Sequence, residues 1–205
     1  MNSSMRHLIL GGCAALALLA GCASPSPAPI LLSLPAAATV AAPPPAAAPA
    51  ASAPLLAIRR VNIPEYLISR RVRYRADPST LAEWPNTFWA ERIEIGVSRE
   101  FVASLRPQLP GWLICDASCG DVTPTLSLQV DIVPMDYVRA TQTLQARARV
   151  TLSTADVSQR VVAARELSYA LASGGDTAQA QAQVVAELLR QVATAAAPMV
   201  LAARR

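Results

Sequence analysis

Cys22 is the residue of this chain best placed for covalent chemistry. It follows Leu19, Ala20 and Gly21, and upstream of these stand Arg6, His7 and the apolar run Leu8 to Ala20. A cationic start, a short apolar stretch and small residues before the cysteine have the order of an export signal. The run is too short to cross a bilayer comfortably, which takes roughly 20 apolar residues. The pattern resembles a bacterial lipobox, in which the chain is cut before the cysteine and both its sulfur and its new amino terminus are acylated. Each buried methylene contributes about 0.8 kcal/mol, so several acyl chains hold such a protein at a membrane nearly permanently. Ala23 follows the cysteine where an aspartate would redirect sorting, so the expected place is the inner leaflet of the outer membrane, facing the periplasm.

Two further thiols, Cys115 and Cys119, remain once Cys13 leaves with the signal. In an oxidising compartment they can pair if their α-carbons come within about 7 Å, and so small a loop contributes roughly 2 kcal/mol. The alternative is a metal clip of Cys115, Asp116, Cys119 and Asp121, for which no histidine or second cysteine pair completes a tetrahedron. His7, the single histidine, lies in the signal, which excludes histidine catalysis and histidine-ligated metal from the mature chain. All 18 basic residues are arginine, so a Ser–Lys pair cannot exist. Gly96, Gly111, Gly120, Gly174 and Gly175 are too scattered for a phosphate-cradling loop. Glu91 and Glu94, three apart on a predicted helix, read as solvated charges. No catalytic residue, cofactor or metal is expected, and the chain reads as a non-enzyme.

Binding is the remaining chemistry. Arg59, Arg60, Arg70, Arg71, Arg73 and Arg75 fall on neighbouring predicted strands, and such a face suits acidic partners or phosphate headgroups. It serves equally as a solvated outer face needed for solubility. Tyr66, Trp84, Phe88 and Trp89 cluster just before the first predicted helix, as core packing or as a docking surface. The candidate partner-binding residues are therefore Arg70, Arg71, Arg73, Arg75, Tyr66 and Trp89. The formal charge of the whole chain, +4, is too small to argue for nucleic acid, and export argues against it further.

The elements that must position these residues follow from composition and period. Residues 1–21 are the signal, and residues 22–54 are a leader rich in Ala and Pro that favours extended, unpacked chain. Within it, Ile30 to Leu34 between Pro29 and Pro35 can form an edge strand. The folded region is residues 55–205. Leu55 to Ile63 and Ser69 to Arg75 read as strands, the second with Arg71, Arg73 and Arg75 on one face and Val72 and Tyr74 on the other. Ile93, Val97, Phe101 and Leu105 form the stripe of a helix over 91–105, with Glu94, Ser98 and Arg99 outside it. Alternation over Leu126 to Ile132, then Leu144 to Leu152, then about Arg160 to Tyr169 predicts an antiparallel meander. After Gly174 and Gly175, Asp176 or Thr177 can cap a helix over 178–196. The expected fold class is α+β, a single domain with a mainly antiparallel sheet covered by two amphipathic helices.

The lipobox, the strand Ile30 to Leu34, the run Val61, Asn62, Ile63, Pro64, Glu65, Tyr66, Leu67 before an arginine-rich strand, and Phe88, Trp89, Ala90, Glu91 at the first helix carry a family resemblance. The chain resembles the ABC-type transport auxiliary lipoproteins, the PqiC/YmbA-like family, over some four-fifths of its length. The long Ala/Pro insertion and the Cys115/Cys119 pair depart from that pattern. The resemblance implies a non-enzymatic subunit anchored in the outer membrane. Its implied partners are an inner-membrane ABC transporter and MCE-type proteins that bridge the periplasm and move lipids in support of membrane integrity. A homo-oligomer is left open. Two other readings share the tether and the small α+β body: a periplasmic assembly or cell-wall-synthase activator lipoprotein, and a soluble-domain lipid carrier with an apolar cavity between helices and sheet.

Overall fold

The computed structural model describes residues 27–36, 53–116 and 119–204. Cys22, the signal and most of the Ala/Pro stretch lie outside these residues. The chain runs through β1 (Ile30–Leu32), β2 (Leu55–Ile58), β3 (Arg71–Arg75), β4 (Leu81–Trp89), α1 (Ile93–Leu105), β5 (Leu113–Cys115), β6 (Leu126–Val138), β7 (Thr143–Thr154), β8 (Val161–Ala172) and α2 (Ala178–Ala202). The result is the expected α+β architecture, one eight-stranded sheet with two helices packed together against it.

The long pairings are antiparallel: β6 with β7, β7 with β8, and β3 with β4. The short ones are parallel, namely β1 with β4, β2 with both β5 and β6, and β3 with β6 at Arg75 and Val138. Strand β6 is the spine. One of its edges carries β7 along its whole length, while the other is shared between β2 at its start and β3 at its end.

The meander alternates as its sequence demands, with Leu128, Val130 and Ile132 inward. At Val133 and Pro134 the register with β7 shifts, because Pro134 brings no N–H to the ladder. The inward set then moves from even to odd positions, Met135 and Tyr137 being buried. Asp136 is thereby turned to the outer face, beside β3.

In α1 the residues Ile93, Val97, Phe101 and Leu105 are buried as their spacing requires. Glu94 does not stay in solvent. It is buried, with its carboxylate against the Arg92 guanidinium but without a well-aligned hydrogen bond. Its place in the first helical turn, where the backbone N–H groups leave a partial positive charge, favours a carboxylate. Gly96 leaves room for the Glu91 carboxylate, whose Oε1 would stand 3.3 Å from a β-carbon there, while Leu34 Cδ1 packs beside it at ordinary contact distance.

Thr177 caps α2 by accepting from the Ala180 N–H at 3.1 Å. Leu188, Leu189, Val192, Ala193, Ala196 and Val200 bury its inner stripe. The helix continues to Ala202 through Pro198, past the expected end at Ala196. By length and composition it could cross a membrane, but half of its apolar window is buried within the fold, as in a core helix.

Candidate functional site

The arginines of β3 lie on the outer face and are mostly engaged there. Arg71 and Arg73 converge on Glu83 of β4, at 3.3 and 3.2 Å. Arg73 also donates to the Tyr66 carbonyl at 2.8 Å. Arg75 Nη2 reaches both oxygens of Asp136, at 3.0 and 3.1 Å, and the Tyr66 hydroxyl donates to the same carboxylate at 2.9 Å. The Arg75 guanidinium stands over the Tyr66 ring, 5.4 Å from its centre. Asp136 holds the Arg75 guanidinium above its ordinary pKa, and burial followed by the Asp136 contact pushes the Tyr66 phenol up.

The four candidate arginines are therefore not alike. Arg75 and Asp136 are only 18 and 17 % exposed, so that pair braces β3 against β6. Arg70 and Arg71 are the exposed members, and Arg70 makes no ion pair among the described residues. Trp89 is corrected as a docking residue. It is 6 % exposed and belongs to the core, because its position on β4 places it among the inward residues with Trp84. Phe88, next in the chain, is half-buried on the outer side under the Arg71 guanidinium, 5.2 Å from its ring centre.

The sheet edge beside this face receives the leader. Asn86 Nδ2 donates to the carbonyls of Pro27 and Ala28, at 2.8 and 3.0 Å. Asn86 has a φ of 49°, a left-handed conformation that asparagine tolerates better than most residues. Nothing in its sequence surroundings marks that role.

Cys115 and Cys119 are joined, with α-carbons 5.3 Å apart. They border an open cleft of about 880 Å³ along Ile58, Arg59, Arg60 and Ser98. The pocket between α2 and the sheet, lined by Leu67, Trp89, Tyr137, Gln181 and Val185, measures about 20 Å³. That is room for one water and none for an acyl chain. Among the described residues no three His, Cys, Asp or Glu side chains gather as a metal site.

A second polar cluster escaped sequence reasoning. Arg139 pairs with Asp176 at 2.8 Å, donates to the Tyr74 hydroxyl at 2.9 Å and covers the rings of Tyr74 and Trp84. Its members come from the β3–β4 pair, the end of β6 and the turn before α2, so no local pattern announces it.

Fold and site together define a small α+β domain with an outer face of paired arginines and carboxylates beside Tyr66 and Phe88. The chain belongs to the ABC-type transport auxiliary lipoprotein family, whose pattern matches residues 34–197. It is 30 % identical over 76 residues to the intermembrane transport lipoprotein PqiC of Escherichia coli, and equally to that of Shigella flexneri. Those stretches cover 37 % of this chain and 41 % of each relative, so the chain spans about two-fifths of the length of the curated relatives it matches. Among solved structures, an uncharacterized protein aligns over 85 % of this chain and 99 % of its own, with a TM-score of 0.67 at 19 % identity. Protein XCC0632 from Xanthomonas campestris aligns over 76 and 93 %, with a TM-score of 0.59 at 18 % identity. These likenesses establish the fold.

Proposed function

We propose that the protein is a periplasmic lipoprotein anchored in the outer membrane through Cys22, acting as a non-enzymatic auxiliary subunit of an ABC/MCE-type lipid transport system that supports membrane integrity. The observation that carries this reading is the family match over residues 34–197, preceded by a sequence ending at Cys22 that resembles a lipobox. Residues 1–21 are the signal, Cys22 begins the lipidated leader, and the α+β domain follows with β1 as part of its sheet.

The chemistry supports the same reading. The mature chain has neither histidine nor lysine, and the space between α2 and the sheet is too small for a carried lipid. What the domain offers is position and surface. Arg73 and Arg75 are braced internally and Arg71 shares Glu83 with Arg73 while staying half exposed, so Arg70, together with the outer side of Arg71, is the charge this face offers to anionic groups, with Tyr66 fixing the strand behind them.

The test is in-cell cross-linking of the acylated protein followed by purification. Recovery of inner-membrane ABC and MCE-type proteins is expected. Their absence, with cell-wall synthases recovered in their place, would refute the transport assignment.

A further inference from the structure

The leader is short where it matters. Only residues 23–26 separate Cys22 from Pro27, whose carbonyl is fixed to Asn86 on β4. A fully extended chain advances at most about 3.6 Å per residue, so Pro27 lies within roughly 18 Å of the acylated cysteine. If Cys22 is the anchor, as proposed above, the edge of the sheet formed by β1 cannot be far from the bilayer.

That edge has the chemistry of an interfacial surface. β1 is the terminal strand of its side of the sheet, and its Ile30 and Leu31 are 45 and 56 % exposed. Leu31 is paired with Phe88, and Phe88 with Arg71, so the three form one row across β1, β4 and β3. The row runs from an exposed leucine at the rim, through a half-buried phenylalanine, to an exposed guanidinium lying over that ring. Arg70 adjoins it, exposed and without an ion pair among the described residues, while Arg71 stays half exposed beside Glu83. Apolar tips beside arginines that reach outward suit the boundary between acyl chains and phosphate headgroups.

We propose that the domain lies against the membrane that holds its own anchor, with Ile30 and Leu31 at the headgroup boundary and Arg70 and Arg71 on lipid phosphates. The opposite edge, β8 and the turn preceding it, then faces away from the bilayer. The leader brings the domain near, and the row across β1, β4 and β3 sets which side it presents.

The acylated full-length protein is reconstituted in vesicles of phosphatidylethanolamine and phosphatidylglycerol that carry a headgroup-level quencher. A fluorophore is attached through Ser33→Cys, on the exposed chain just after β1, or through Val157→Cys, in the fully exposed β7–β8 turn. Several-fold stronger quenching at position 33 than at 157 is expected. Adding Leu31→Glu to the Ser33→Cys protein is expected to lower quenching to the level at 157, with an unchanged circular dichroism spectrum. Equal quenching at both sites in vesicle-bound protein overturns the orientation. Failure of the acylated protein to associate with vesicles at all overturns the anchor on which the orientation rests.

Discussion

Trp84 donates its indole N–H to Gln181 Oε1 at 2.7 Å, joining β4 to α2 across 97 positions of sequence. The same glutamine donates to the part-buried Arg73 carbonyl at 2.7 Å, so one buried amide serves both an indole N–H and a strand carbonyl. Helix and sheet are thereby fixed directly behind the arginine face.

Replacing Gln181 by Leu leaves an indole N–H and a carbonyl without partners, each costing about 1–3 kcal/mol when buried. At about 2–4 °C per kcal/mol for a domain of this size, thermal denaturation detects the loss easily. An unchanged Tm would mean that this clamp contributes nothing.

Asp136 is the hinge pin of the outer face. Asp136→Ala strips both Arg75 and the Tyr66 hydroxyl of their acceptor, at an expected cost of about 1–3 kcal/mol by chemical denaturation. Glu166→Ala removes an ion pair with Arg149 whose side chains are both more than half exposed. Solvent screens such a pair, so that variant stays close to the parent. Equal losses in the two variants would contradict the bracing role of Asp136.

The Tyr66 phenol is raised above its ordinary value of 10.0, first by burial and then by Asp136. The folded state therefore keeps this proton when the unfolded chain has begun to lose it. The stability it supplies is fully present below about pH 10 and is lost as pH rises through the folded value. Unfolding titrations between pH 9 and 11 are expected to show a smaller alkaline loss in Tyr66→Phe than in the parent; identical slopes would contradict the assignment.

Arg70 and Arg75 are expected to separate. Arg70→Ser changes a solvated side chain and leaves stability within about 0.5 kcal/mol. Arg75→Ser abandons the Asp136 carboxylate in a mostly covered site and lowers Tm clearly. The opposite order would place the structural arginine at the wrong end of β3.

The parts of this architecture that were legible in the sequence are those with a local period. The stripe of α1 and the alternation of β6 to β8 fix their inner faces without reference to anything distant. The reading of β6 stopped at Ile132 because the register shift at Val133 and Pro134 reverses the alternation. β4 shows in the sequence only as a cluster of aromatics, since Pro85 and the left-handed Asn86 interrupt its pattern. β2 ends at Ile58 rather than Ile63; beyond it the chain stays beside β6 through the Arg59 N–H on the Leu128 carbonyl and an isolated bridge at Asn62, without a continuous ladder. Of the candidate site, the arginine strand and Tyr66 were legible by composition. Their pairing with Glu83 and Asp136 was not, because a carboxylate on another strand leaves no mark beside the arginine it neutralises. Burial of Trp89 was equally invisible, a tryptophan being at home in a core or on a contact surface.

The central claim, that an acylated Cys22 holds this domain at the outer membrane, is tested most directly by radiolabelled palmitate incorporation combined with density-gradient separation of the membranes. Label in the parent chain and its recovery with the outer membrane are expected, and for Cys22→Ser no label and a soluble periplasmic protein. A serine variant that stays with the membrane after a high-salt wash, or a parent chain found with the inner membrane, would contradict it.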